Sequence, residues 1–147
     1  MPINVHRSAE FTVRLPPDQT MPLFTAEGER RWAEGWDPRY PNPARRDGAG
    51  AVFTTAHGAN ETTWIMVDHG PERVRYARVT DSMTAGIVAV DVLESDERVT
   101  CVRVTYDLTA FTAAGEEWLA EFDAHYDTEI ASWATDIAAA LERPEPA

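Results

Sequence analysis

The chain has 147 residues, of which 44% are hydrophobic and 26% charged, and its formal net charge is -12. This length suits one ordinary domain, and no apolar run approaches the roughly 20 residues that a membrane-spanning helix needs. The acidic balance, in which every cation is Arg, disfavours nucleic acid and anionic lipid surfaces as partners. We therefore expect a single domain over residues 1–142, a flexible tail over 143–147, and no membrane insertion.

The N-terminal residues and the single cysteine restrict the cellular location and the chemistry that we expect. His6, Arg7 and Glu10 stand where the apolar segment of a signal peptide would begin, so we expect a cytoplasmic protein. Cys101 is the only cysteine, which excludes an intrachain disulfide and a cysteine-based zinc site, and its alternating surroundings indicate a buried core thiol. The sequence has no P-loop, dinucleotide fingerprint or nucleophile elbow, and we expect no cofactor.

The first third of the chain predicts a strand, a helical segment and a loop. Residues 10–15 alternate polar and apolar side chains before two prolines, which is typical of a strand. Residues 18–33 have helical spacing interrupted at Gly28, which predicts two short helices or one broken helix. Residues 34–50 hold three prolines and three glycines and predict a long loop, in which Trp36 and Tyr40 argue against disorder.

The rest of the chain predicts hairpin-connected strands and one long helix. Short joints rich in turn-forming residues separate the strand-like runs, so neighbouring strands should pair antiparallel. The predicted strands are Ala51–His57, Thr62–His69, Val74–Thr80, Thr84–Leu93 and Val99–Leu108. Thr112 then caps a helix that extends to about Leu141. Its apolar side chains recur every three or four residues at Trp118, Phe122, Tyr126, Ile130, Trp133, Ile137 and Leu141.

This order of elements is an α+β arrangement, in which the aromatic stripe of the last helix must be buried against the concave face of the sheet. We expect a sheet of about six antiparallel strands wrapped around the long C-terminal helix, with two short helices after the first strand. A twisted sheet gripping so bulky a helix rarely closes without space between them. The sequence therefore predicts a cavity between the sheet and the helix.

Several segments also resemble a known superfamily. They are Gly28–Pro38, Gly50–Phe53, Trp64, Tyr76–Thr80, Ala85-Gly86, Val104–Tyr106, Thr109–Phe111 and Trp133. Together they resemble the SRPBCC superfamily of START-like and Bet v 1-like helix-grip proteins over nearly the whole chain. The superfamily includes lipid, hormone and pigment carriers, polyketide cyclases and aromatases, dioxygenase subunits and chaperone activators. The resemblance implies the fold and a cavity and leaves the reaction open.

Large aromatic residues are the main candidates for a binding site, because a cavity lined with them suits a flat apolar ligand. The candidate ligand-binding residues are Trp32, Trp36, Phe53, His57, Trp64, Tyr106, Phe122, Tyr126 and Trp133. Trp64 and Tyr126 are the favoured lining residues, with Trp36 as a gate at the loop. His57 lies at a strand end, where it either contacts the ligand as a polar group or general base, or caps the turn in solvent.

Two charged groups have both a structural and a functional interpretation. Glu121, His125 and Glu129 share one helix face, but they lack the doubled histidine of a zinc motif, and an exposed face is the preferred interpretation over a metal site. Charged residues on adjacent strands are expected to form ion pairs on the outer face of the sheet. The alternative is that they point inward, where they would orient a polar substrate. These residues are Arg78, Asp91, Arg103 and Asp107.

Three functions remain open. The first is binding of a small hydrophobic or aromatic molecule in the cavity, by a protein that is a monomer or a homodimer. The second is an enzyme of polyketide cyclase, aromatase or hydrolase type that acts in the same cavity. The third is a protein-interaction module of chaperone-activator type, for which we expect a filled core without a cavity.

Overall fold

The computed structural model describes residues 3–143 apart from the side chain of His57. Six strands form one antiparallel sheet. They are β1 (Asn4–Val13), β2 (Val52–His57), β3 (Asn60–His69), β4 (Arg73–Thr80), β5 (Thr84–Ser95) and β6 (Thr100–Ala110). Their order is β1-β6-β5-β4-β3-β2, so the five later strands form a meander and the first strand pairs with the last. The predicted helix-grip architecture is confirmed.

Strand β1 begins at Asn4, well before the predicted start at Glu10. The apolar alternation along its inner face is interrupted by Arg7, which hid this part of the strand in the sequence. Arg7 is partly buried because it reaches the last helix: its guanidinium lies 2.9 Å from a carboxylate oxygen of Asp123 and 3.0 Å from one of Asp127. The edge strand and the helix are therefore joined by an ion-pair cluster.

Three short helical pieces follow β1, as the interrupted helical spacing predicted. They are α1 (Pro17–Thr20), a 3-10 turn (Met21–Phe24) and α2 (Ala26–Glu29). The Thr25 hydroxyl caps α2 by accepting a hydrogen bond from the Gly28 backbone N–H at 3.1 Å. The predicted loop over residues 34–50 contains no helix or named strand, and its contacts with the sheet include an isolated β-bridge between Arg39 and Thr54.

The long helix α3 spans Ala113–Leu141, with Thr112 as its N-cap, as predicted. The Thr112 hydroxyl accepts a hydrogen bond from the Gly115 N–H at 3.0 Å. Along the helix, Leu119, Tyr126, Ile130 and Ile137 are buried against the sheet. At its end, the Arg143 guanidinium donates to the Arg31 carbonyl oxygen at 2.9 Å. The remaining residues of the predicted tail, 144–147, lie outside the described residues.

Three of the four charged strand residues lie on the outer face of the sheet, as expected, and two of them form ion pairs there. Arg103 pairs with Glu10 at 3.0 Å and Asp91 with Arg75 at 3.7 Å, while Asp107 accepts a hydrogen bond from Asn4 at 2.9 Å. Cys101 lies on the face opposite the fully buried Val102 and is only partly buried, so the prediction of a core thiol is wrong. Within residues 3–143, no helix combines the length and the apolar character that crossing a membrane requires.

Candidate functional site

A cavity of about 660 Å³ lies between the inner face of the sheet and α3. Its walls come from three parts of the chain: the turn after α2, strands β2 to β6, and the first two thirds of α3. The lining residues are Glu29, Trp32, Ala33, Glu34, Gly35, Trp36, Thr55, Ala56, Asn60, Thr62, Trp64, Arg78, Thr80, Met83, Thr84, Tyr106, Trp118, Glu121, Phe122, His125, Glu129, Ile130 and Trp133. The predicted cavity is therefore present, and it is within the size range of pockets for small organic molecules.

Aromatic rings in mutual contact form much of the cavity wall. On α3, Trp118 stacks on Phe122 with ring centroids 5.0 Å apart, and Phe122 contacts Tyr106 of β6 at 5.1 Å. Trp133 continues this row to Trp32, whose ring centroid lies 5.4 Å away. Since each ring is held by its neighbours, the wall is preformed and offers flat apolar surfaces to a ligand.

Three indoles of the cavity are further held through their N–H groups. Trp32 donates to the Leu23 carbonyl oxygen at 2.8 Å, and Trp36 donates to the Ala26 carbonyl oxygen at 2.7 Å. The Trp64 N–H donates to the Thr55 hydroxyl at 3.0 Å. The tight succession of short helical pieces before residue 30 leaves carbonyl groups free for Trp32 and Trp36, and this fixes the start of the long loop over the cavity.

Arg78 lies inside the cavity and not on the outer face, so its predicted role in an outer ion pair is wrong. Its side chain is 8% exposed, and its guanidinium lies between two indoles, 5.3 Å from the ring centroid of Trp64 and 5.2 Å from that of Trp118. It donates one long hydrogen bond, of 3.4 Å, to the Thr84 hydroxyl. Desolvation by burial lowers its pKa from the ordinary value for arginine.

The physical reason for this inward position is the alternation of β4. Val74, Tyr76, Arg78 and Thr80 all point to the buried face, and Arg78 is opposite Trp64 in the register of β3 and β4. A charged side chain was expected to take the outer face because burial of a charge is costly. In this fold part of that cost is offset by the two indole rings.

Glu29 and Tyr106 are the other ionisable groups that line the deeper part of the cavity. No described residue forms an ion pair or hydrogen bond with the Glu29 carboxyl, and the part of this side chain that is accessible opens into the cavity. Desolvation raises the pKa of Glu29 well above its ordinary value. Burial likewise raises the pKa of the Tyr106 hydroxyl, opposed by the nearby charge of Arg78. Burial therefore favours the protonated, uncharged form of both groups.

The rim of the cavity is polar and mostly acidic. Its exposed residues are Glu34, Gly35, Ala56 and Asn60 on the sheet and loop side, and Glu121, His125 and Glu129 on α3. His125 Nδ1 lies 2.9 Å from the Glu121 carbonyl oxygen and 3.5 Å from a carboxylate oxygen of the same residue. Among the described residues, no group of three acidic, histidine or cysteine side chains is placed to hold a metal ion.

The candidate residues from the sequence divide into those that line the cavity and those that support it. Six of them line it: Trp32, Trp36, Trp64, Tyr106, Phe122 and Trp133. Phe53 and Tyr126 are buried and do not line it: Phe53 stacks behind Trp64 at 5.9 Å, and the Tyr126 hydroxyl donates to the Val104 carbonyl oxygen at 2.6 Å. The His57 side chain lies outside the described part of the structure.

Three further lining residues, Glu29, Arg78 and Trp118, were not among the ligand-binding candidates from the sequence. The alternation of β4, in which Tyr76 and Thr80 share the face of Arg78, indicates the inward position that was the less favoured interpretation of Arg78. Trp118 belongs to the aromatic stripe expected around the cavity but was not singled out as a ligand contact. For Glu29 the sequence holds no such signal, because this residue ends the short helix α2, which only the tertiary arrangement places beside the cavity.

The sheet, the gripped helix and the cavity between them define the helix-grip fold of the SRPBCC superfamily. This confirms the resemblance seen in the sequence at the level of the fold. No family model matches the sequence, and no curated protein is similar enough to it to count as a match.

Solved structures of the same fold cover almost all of the chain. A protein from Rhizobium loti is 19% identical with a TM-score of 0.62, and the match covers 91% of this chain and 97% of the other. The Aha1 dimer from Colwellia psychrerythraea is 16% identical with a TM-score of 0.67 and coverage of 97% and 99%. Norcoclaurine synthase from Thalictrum flavum is 11% identical with a TM-score of 0.66 and coverage of 96% and 88%.

Proposed function

We propose that this protein binds a small, flat, hydrophobic or aromatic molecule in the cavity between the sheet and α3. The observation that supports this best is the cavity of about 660 Å³ with its wall of mutually packed rings. Ligand pockets commonly have volumes of roughly 300–1,000 Å³ and apolar walls with a few polar groups. The proposed ligand-contacting residues are Trp32, Trp36, Trp64, Arg78, Tyr106, Trp118, Phe122 and Trp133.

The test is a titration with N-phenylnaphthylamine, an uncharged aromatic probe whose fluorescence increases in apolar surroundings. We expect saturable binding of one molecule per chain, accompanied by quenching of the tryptophan fluorescence, because tryptophans line the cavity. The variant Ala33→Trp places a bulky side chain at the partly buried lining position Ala33. It should weaken binding by about tenfold or more, as expected when a ligand loses contacts worth about 1.4 kcal/mol.

The matched control is Ala124→Trp, which introduces the same side chain on the exposed side of α3, away from the lining. Its affinity for the probe should equal that of the unmodified protein. Lack of saturable binding, or equal loss of binding in both variants, would count against the cavity as the binding site. Far-UV circular dichroism of each variant shows whether the fold is retained.

An enzyme acting in the same cavity is the second candidate, and the placement of Glu29, Arg78 and Tyr106 around one space supports it. A carboxyl with a raised pKa and a neutral phenol can donate protons, and a guanidinium can stabilise developing negative charge. Incubation with polyketide-like and ester substrates, followed by mass spectrometry, tests this candidate. Turnover that disappears in Glu29→Gln, with probe binding retained, would favour it over simple binding.

The chaperone-activator type of interaction module is the least supported candidate. It was expected to have a filled core, whereas this protein has a cavity. The solved Aha1 dimer shares the fold, but at 16% identity it carries no further argument.

A further inference from the structure

The cavity interior holds one buried charge without an opposite charge. Among the described residues that are buried and line the cavity, Arg78 is the only charged one. No described acidic residue lies within ion-pair distance of it, although the protein has 25 acidic residues and several of its other arginines pair with them. Buried arginines ordinarily have such a partner, because an isolated charge is costly in an apolar interior.

The hydrogen-bonding capacity of the guanidinium is also largely unused. Its Nε is enclosed and has no acceptor, and Nη1 makes only the 3.4 Å contact with the Thr84 hydroxyl. For Nη2, no acceptor is found among the described residues. A guanidinium has five N–H donors in a planar fork, so most of them are available here.

The geometry around Arg78 selects the edge at which an acceptor can bind. Trp64 and Trp118 cover the guanidinium, and Nε is inaccessible, which leaves the terminal edge formed by Nη1 and Nη2. A planar group with two acceptor oxygens, such as a carboxylate, fits this edge with two parallel hydrogen bonds. The flanking aromatic wall favours a flat apolar body attached to that group.

We infer that the natural ligand is a flat aromatic or polycyclic compound with a carboxylate, which the terminal edge of the Arg78 guanidinium binds inside the cavity. This inference rests on the proposed function and names the class of ligand. The ligand would supply the counter-charge and the hydrogen-bond acceptors that the protein itself does not provide.

The acidic rim repels an entering anion, but this repulsion is weaker than the attraction that the anion gains from Arg78 inside the cavity. Glu121 and Glu129 are exposed at the rim, where a Debye length of about 8 Å at physiological salt screens their charge. Deeper in the cavity, desolvation raises the pKa of Glu29, which favours the uncharged form of its carboxyl. The acidic rim would therefore slow the association of a carboxylate ligand. Once inside, the carboxylate would form its ion pair with Arg78 in a desolvated site, where screening by salt is weak.

The test compares naphthalene carboxylic acids and larger polycyclic carboxylic acids with their primary amides, as competitors of N-phenylnaphthylamine. Acid and amide have nearly the same shape, so their affinity ratio isolates the charge. We expect the carboxylate to bind about tenfold or more tightly than its amide, as is typical of a buried charge-assisted pair. This preference should persist at high salt, unlike that of a surface ion pair.

Substitutions on β4 show whether Arg78 is responsible for the preference for the carboxylate over the amide. Arg78→Met, which retains a long side chain between the indoles, should abolish the preference for the carboxylate over the amide, and Arg78→Lys should keep part of it. Arg75→Met is the matched control on the same strand, since Arg75 lies on the outer face beside Asp91. It should leave the preference unchanged.

The outcomes separate this inference from the proposed function. If the uncharged probe binds and the amides compete as well as the acids, the inference is wrong and the binding function stands. If neither the probe nor any competitor binds, both fail. A carboxylate preference that survives in Arg78→Met would also overturn the inference, because another site would then be responsible.

Discussion

The Tyr126 hydroxyl of α3 donates a 2.6 Å hydrogen bond to the Val104 carbonyl oxygen of β6, in a fully buried position. This contact fixes the middle of the long helix to the middle of β6, the strand next to the edge strand β1. The neighbouring ring of Tyr106, 5.9 Å away, has its hydroxyl without a hydrogen-bond partner among the described residues. Two tyrosines in contact therefore have different tasks, since one joins the helix to the sheet and the other faces the cavity.

The hydrogen bond that Tyr126 forms and Tyr106 lacks should be measurable as a difference in stability. Tyr126→Phe should lower the free energy of unfolding by about 1–2 kcal/mol, because it removes a buried hydrogen bond. Tyr106→Phe makes the same chemical change where no such bond exists, and we expect it to be nearly neutral. Urea unfolding of both variants measures the contrast, and equal effects would contradict the assigned roles.

Glu29 should make stability depend on pH. Its pKa is raised in the folded protein by desolvation, so the folded state holds the proton more tightly than the unfolded chain does. Its contribution is fully present below the ordinary carboxyl pKa of about 4.3 and is lost as the pH rises through the folded-state pKa.

The variant Glu29→Gln isolates this effect, because glutamine stays neutral at every pH. Its stability should match that of the unmodified protein near pH 4 and exceed it increasingly towards neutral pH and above. The measurement is urea unfolding of both proteins over this pH range. A stability difference that stays constant with pH would show that the Glu29 carboxyl is not desolvated.

Trp64 both packs in the core and borders the cavity. It is 8% exposed, stacks on Phe53 and donates to Thr55. We expect Trp64→Ala to destabilise the protein by about 3 kcal/mol, at the lower end for large-to-small changes because one side of the ring already faces open space. The adjacent Ile65 is 37% exposed on the outer face, and Ile65→Ala should cost much less. Thermal and urea unfolding compare the two.

Gly115 allows the start of α3 to approach the turn between β4 and β5. A Cβ atom at this position would overlap the backbone carbonyl of Met83. Alanine is the better helix former by about 1 kcal/mol, yet we expect Gly115→Ala to destabilise the protein by at least that amount.

The control for this prediction is Ala124→Gly, at an exposed position of the same helix. The lower helix propensity of glycine should by itself reduce the free energy of unfolding of Ala124→Gly by about 1 kcal/mol. If Gly115→Ala were stabilising instead, the close approach of the helix and the Met83 carbonyl would be disproved.

The order and type of elements were readable from local patterns. The strands between Val52 and Ala110 alternate and are separated by turn formers, and Thr112 and the apolar stripe mark α3. These signals are local because they arise from backbone geometry and from a periodicity that each segment carries alone. The start of β1 was missed because its signal is not local. Arg7 interrupts the apolar alternation of the strand, and its partner Asp123 lies on the distant helix α3.

The site itself depended on how the elements come together. Local patterns were enough to predict a helix gripped by an antiparallel sheet, and many of the aromatic residues between them. That Phe122 lines the cavity while Tyr126 is buried behind it follows from the packing of the elements, because the rotation of α3 against the sheet separates the two residues. The same packing allows Arg78 to lie inside, since the indoles that surround its charge come from β3 and α3, 54 residues apart at Trp64 and Trp118. A buried charge is stabilised only by the groups that tertiary packing places around it. No local sequence pattern contains that information.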